Sequence, residues 1–145
     1  MIGALLLKFT WKHRVEKAFA HRDIDALVGA WSEDGVLEFG GTSSMAGRFV
    51  GRPEIRGWME RWFARVADLK VTIGKVALTN PWALGLTNTV MYQEHIEETS
   101  HDGLSISADL VSVITLHRGR ITLVRDYLFD ETPELAMWGP HRATA

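Results

Sequence analysis

Asp126 is the residue in this sequence with the clearest chemical potential. Val124 and Leu128 flank it along one face of an alternating stretch, so its carboxyl belongs among hydrocarbon if that face points inward. Desolvation there raises a carboxyl pKa and makes the ionised form a stronger base than in water. Proton abstraction beside a carbonyl asks for such a group. His95 is a second candidate, because imidazole titrates near neutrality and can exchange a proton with Asp126 through substrate or water. Gln93 carries an amide suited to orienting a carbonyl oxygen. Each has a plainer structural reading: a carboxylate held by an arginine or backbone amide, a rim histidine, an amide satisfied within a sheet.

Other chemistries find less support. His95 with Glu94 or Glu97 brings no second strong ligand, and adjacent strand residues face opposite sides, so no metal is expected. With no cysteine there is no disulfide, thiol nucleophile or thiolate metal site. Gly40-Gly41 and Gly47 lack the strand–glycine–helix setting of a phosphate loop, and no Gly-x-Ser-x-Gly elbow occurs. No cofactor is expected. The net charge of −2 gives no basic footprint for nucleic acid, and no run reaches the roughly 18 apolar residues that span a bilayer. The apolar start, Met1 to Lys8, lacks the cationic region and cleavage site of a secretory signal and is read as helix. Neither a nucleic-acid nor a membrane partner is expected, and the expected location is cytoplasmic.

The elements that must position these groups follow from periodicity. Leu7, Trp11, Val15, Ala18 and Phe19 recur at helical spacing, which predicts an amphipathic helix over 4–21. Asp23 or Asp25 can cap a short second helix running through Ala26, Leu27 and Trp31, followed by a strand from Val36 to Phe39. Pro53 suits the first position of the clearest helix, whose stripe of Ile55, Trp58, Met59, Trp62, Phe63 and Val66 supplies an apolar wall. After Asp68 the period changes to two. Strands are expected over 69–79, 83–99, 104–116 and 120–130, with an irregular tail in which Leu135, Met137 and Trp138 can cover an opening. Helices first and sequential strands afterwards predict one α+β domain over 1–145: a curved antiparallel sheet wrapped around the helices, enclosing a cone-shaped cavity. The 145 residues, 46% hydrophobic, suffice for one such core.

Turn chemistry sets the expected faces. Taking His117-Arg118-Gly119 as a three-residue loop pairs Leu116 with Arg120 and puts Leu110 opposite Asp126. A four-residue loop pairing Thr99 with Leu104 then puts Gln93 and His95 on the same inward face as Met91, Ser112 and Asp126. The outward face would carry Tyr92, Glu94, Val111, Val113, Arg125 and Tyr127, a mixture suited to a homodimer interface. A one-residue slip in either hairpin exchanges the faces.

The order of pieces resembles the nuclear-transport-factor-2-like superfamily, specifically its SnoaL-like polyketide cyclase, limonene-epoxide hydrolase and ketosteroid isomerase group. The similar stretches are Asp23 to Leu27, Trp31 to Val36, Gly51 to Ile55 and Gly119 to Tyr127. The resemblance implies a cystatin-like α+β barrel with a ligand cone. Steroid isomerases of the group place a base where this chain has Phe39 and a tyrosine near Val15. The epoxide hydrolases have an Arg-x-Asp where this chain has Gln93-Glu94-His95. The aspartate on the last strand of SnoaL-type cyclases matches Asp126. Together these readings give Asp126 and His95 as catalytic candidates. Gln93, Trp58, Met59, Trp62, Phe39 and Leu110 are the candidate substrate contacts. The expected activity is cofactor-independent acid–base chemistry (cyclase, isomerase, dehydratase or hydrolase type) on a small apolar cyclic metabolite. The alternative is a non-catalytic hydrophobe-binding or dimerisation domain.

Overall fold

The computed structural model of the chain describes residues 12–80, 82 and 87–141. The expected helix over 4–21 is seen as α1 across 12–20; Met1 to Lys8 and Trp11 lie outside the described residues. Helix α2 spans Ile24–Gly29, and Asp23 caps it by accepting the Ala26 N–H at 2.9 Å. It stops before Trp31, which opens strand β1 (Trp31–Phe39) instead of ending the helix. The short β2 (Gly47–Val50) returns antiparallel to β1. Gly51 then turns the chain at φ +84, a conformation that favours glycine, into α3 (Arg52–Arg65). Glu54 in its first turn accepts the Val50 N–H at 2.7 Å. Ile55, Trp58, Met59, Trp62 and Phe63 form the buried stripe of α3.

Four long strands follow: β3 (Val66–Leu78), β4 (Thr87–Ser100), β5 (Ser105–His117) and β6 (Arg120–Leu128). The tail is ordered as helix α4 (Thr132–Trp138), where the sequence pattern suggested irregular chain. The six strands form one sheet in the order β2-β1-β6-β5-β4-β3. The sheet curves around α3 and stays unclosed, with β2 and β3 as its edges, which gives the expected α+β cone. It is also mixed. β1 runs parallel to β6, with Leu37 beside Val124 and Phe39 beside Asp126, whereas the other neighbours are antiparallel. Inside the curve, Trp58 packs on Phe39 and on Trp62 with ring centroids 5.3 Å apart in each case, and Phe19 of α1 meets Trp62 at 5.5 Å.

Both hairpin registers differ from expectation, for identifiable reasons. Arg118 (φ +48) and Gly119 (φ +75) form a two-residue turn that pairs His117 with Arg120. Positive φ at both centres is the type I′ geometry, which matches the strand twist. A bulge at Thr115/Leu116 then places Ser112, not Leu110, opposite Asp126. That shift is even, so β5 keeps its expected inward face. The β4–β5 loop is the three-residue one. Ser100 N–H donates to Leu104 O at 2.8 Å, Gly103 N–H returns to Ser100 O at 2.9 Å, and Gly103 takes φ +88. Thr99 therefore faces Ser105 rather than Leu104, a one-residue slip that turns β4 over.

Candidate functional site

Between the concave face of the sheet and helices α1 to α4 lies a cavity of about 680 Å³. Its wall is largely aromatic and aliphatic, and Phe39, Trp58, Met59, Trp62 and Leu110 are among the residues that line it. Its polar groups come from strand alternation. β4 sends Asn88, Val90, Tyr92, Glu94, Ile96 and Glu98 inward; β5 sends Leu110, Ser112 and Ile114; β6 sends Val124 and Asp126.

The chemical centre is a row across three strands. Tyr92 pairs with Ser112, and Ser112 pairs with Asp126. Ser112 Oγ donates to Asp126 Oδ1 at 2.5 Å and lies 3.4 Å from Glu94 Oε2. The Tyr92 hydroxyl also interacts with Glu94 and Ser112. Burial pushes the Asp126 carboxyl up to about 6, moderated by the Ser112 hydrogen bond. Asp126 keeps partial exposure, and the space it opens onto is the cavity. Glu94 is pushed further, to about 8, by burial and then by the neighbouring Asp126 charge. Burial likewise raises the Tyr92 hydroxyl well above its ordinary value. Both carboxyls are thus held toward their neutral forms, Glu94 more strongly than Asp126, with a hydroxyl between them.

Gln93 and His95 do not reach this centre. They project from the convex face, because β4 is turned over relative to expectation. His95 Nδ1 lies 2.7 Å from Asp109 Oδ1 and Nε2 lies 3.2 Å from Ser107 Oγ, all on that outer surface. Met91, expected inside, is 38% exposed, whereas Tyr92 and Glu94, expected on the outer face, are buried. Glu94 and Tyr92 are thus the residues that turn-based register missed. The signal was in β4 itself. Val90, Tyr92 and Ile96 share one parity, while Met91, Gln93, His95 and Glu97 share the other; the bulkier apolar set marks the inside. Glu134 was missed with the helicity of the tail. Among the described residues, no three His, Asp or Glu side chains gather to hold a metal ion, and no helix is long and apolar enough to cross a membrane.

The family model for the SnoaL-like domain matches residues 12–124. The chain belongs to the SnoaL-like family. No curated protein matches it by sequence. Solved structures share this SnoaL-like fold at low identity. An NTF2-like protein of unknown function from Burkholderia pseudomallei is 14% identical, with TM-score 0.75, over 95% of this chain and 98% of that one. A candidate polyketide cyclase from Xanthomonas campestris is 17% identical, with TM-score 0.61, over 93% and 96%. TerC, co-crystallised with polyporic acid, is 17% identical, with TM-score 0.67, over 94% and 95%. These likenesses establish the NTF2-like α+β cone.

Proposed function

We propose that this SnoaL-like protein is a cofactor-independent acid–base enzyme, of cyclase, isomerase or dehydratase type, acting on a small and mostly apolar cyclic metabolite held in the cone. The observation that carries this reading is the Asp126–Ser112–Glu94 arrangement in an apolar cavity. Asp126 takes a proton from a carbon beside the substrate carbonyl. The resulting oxyanion is stabilised by two inward donors of β4, the protonated Glu94 carboxyl and the Tyr92 hydroxyl. Glu94 can release its proton to the product and recover one from Asp126 through Ser112, which resets both groups. The aromatic wall of Trp58, Trp62 and Phe39 suits a flat ring body.

The test is a screen of cyclic ketones, hydroxyquinones and epoxides, with polyporic acid as a first binding probe because a fold relative was crystallised with it. Turnover by the native protein and its loss in Asp126→Asn, with affinity retained, is the expected result. Tight ligand binding without turnover across the screen would instead favour the hydrophobe-binding reading. We also propose that a second copy of the chain covers the convex face. Met91, Tyr127 (55% exposed) and Phe129 (69% exposed) stand there beside Val111, Val113 and the charged Arg125 and Glu97.

A further inference from the structure

The cavity carries a second pair of carboxyls that the acid–base centre does not use. Glu98 of β4 and Glu134 of α4 are each 3% exposed, and both line the cavity. Glu98 lies four residues beyond Glu94 on the same inward face, a span of about 13 Å, with Ile96 between them. The Trp62 indole N–H donates to Glu98 Oε1. The other oxygen, Oε2, is buried and has no hydrogen-bond partner among the described residues. Glu134 is close enough to feel the Glu98 charge, yet neither carboxyl forms an ion pair with a described Lys, Arg or His.

A buried acceptor without a donor is a standing cost to the fold, and two carboxyls in one apolar wall compound it. A ligand that brings donors and positive charge removes both costs. An alcohol brings one donor and no charge, whereas an ammonium brings three N–H groups and cancels the repulsion. We propose that Glu98 and Glu134 form a recognition subsite for a protonated amine, so that the ligand of this cavity is an apolar ring body bearing a cationic amine at one end. Its far end would then lie toward the Asp126 row, with the rings over Ile96 and Trp62. The proposal rests on the cavity being a ligand site, and not on the chemistry assigned to Asp126.

The experiment is calorimetric titration of the full chain at pH 8, above the values near 7 to which burial pushes both carboxyls. The probes are 2-naphthylmethylamine, its near-isostere 2-naphthylmethanol, and 2-naphthoic acid. The amine should bind at least tenfold tighter than the alcohol, and the acid weakest of all. Glu98→Gln and Glu134→Gln should each erase most of that preference while leaving alcohol binding within about threefold. Asp126→Asn should leave the preference intact. Equal binding of amine and alcohol to the native chain overturns the proposal, a comparison that needs no variant to fold. So does a preference that survives both glutamine variants, one lost in Asp126→Asn instead, or no amine binding up to millimolar concentration. Turnover of neutral ketones is measured separately, so the amine subsite can fail while the acid–base reading stands.

Discussion

The two faces of this sheet treat the same side chains in opposite ways. On β4, Glu97 points outward to Lys70 at 2.6 Å, and that cation holds its carboxyl below the usual range. Glu98, its neighbour in sequence, points inward, and burial pushes it up to about 7. On β6, Arg125 reaches Glu38 at 2.5 Å on the convex side, and Glu38 is lowered by Arg125 and by Arg48. Asp126, the next residue, is raised to about 6 inside. Outside, carboxylates meet cations in water, and each pair contributes little. Inside, Glu94, Glu98, Asp126 and Glu134 have no cationic partner among the described residues, and ionising them costs the fold. The difference teaches that the titration of a carboxyl here is set by strand parity. The same residue type is held toward its neutral form or becomes a solvated surface charge according to the side on which it emerges.

The largest expected effect tests the inside directly. Asp126→Asn keeps the Ser112 contact and removes the base, so kcat on any turned-over ketone should fall by about a thousandfold or more, with affinity within about tenfold. Glu94→Gln should lower kcat by roughly a hundredfold. It should also move the alkaline limb of the pH–rate profile, which a merely structural glutamate would not. A normal rate in Asp126→Asn would end the assignment.

Stability should separate the faces by pH. The four interior carboxyls have raised values in the fold, so their neutral forms are favoured there. Their stabilisation is fully present below the ordinary carboxylate range and is lost as pH rises through about 6, 7 and 8. Tm should therefore drop between pH 5 and 8.5, and Glu94→Gln should raise Tm at pH 8.5 by about 5 °C or more. The lowered exterior groups Glu38 and Glu97 run the other way, their contribution disappearing only as pH falls below about 4. A Tm that climbs from pH 5 to 8.5 would contradict the comparison.

On the convex face, Tyr127→Asp with Phe129→Asp should weaken self-association by at least tenfold, read by sedimentation, without loss of secondary structure. A native chain that stays monomeric at high micromolar concentration would overturn the dimer proposal. Smallest of all, Lys70→Ala should shift Tm by no more than about 2 °C, because an exposed pair is screened and entropically costly.

Much of the architecture was legible in sequence. The apolar stripe of α3, the change of period after Asp68 and the glycine turns dictate a helix wrapped by long strands. Asp126 was legible too, because its neighbours Val124 and Leu128 mark its face. The rest depended on single-residue decisions. Whether three or four residues join β4 to β5 is settled by Ser100 and Leu104 hydrogen bonds that composition does not display. That one choice exchanged His95 for Glu94. The parallel β1–β6 pairing joins segments far apart in sequence, and no local pattern announces it.

That pairing also bears on how the chain reaches its native state. The neighbours β3 to β6 join consecutive strands, through connections short enough to close early. β1 must instead find β6 across most of the chain, docking Phe39 beside Asp126. Long-range parallel contacts of this kind are slow to form. Docking of β1 is therefore the expected late step of folding, and it gives Asp126 its last wall. Loosening β1, for instance by cutting the Arg52 bonds to the Trp31 carbonyl, should slow refolding while sparing the hairpins. An unfinished chain would carry the carboxylates of the site in water, as ordinary weak bases, until that strand arrives.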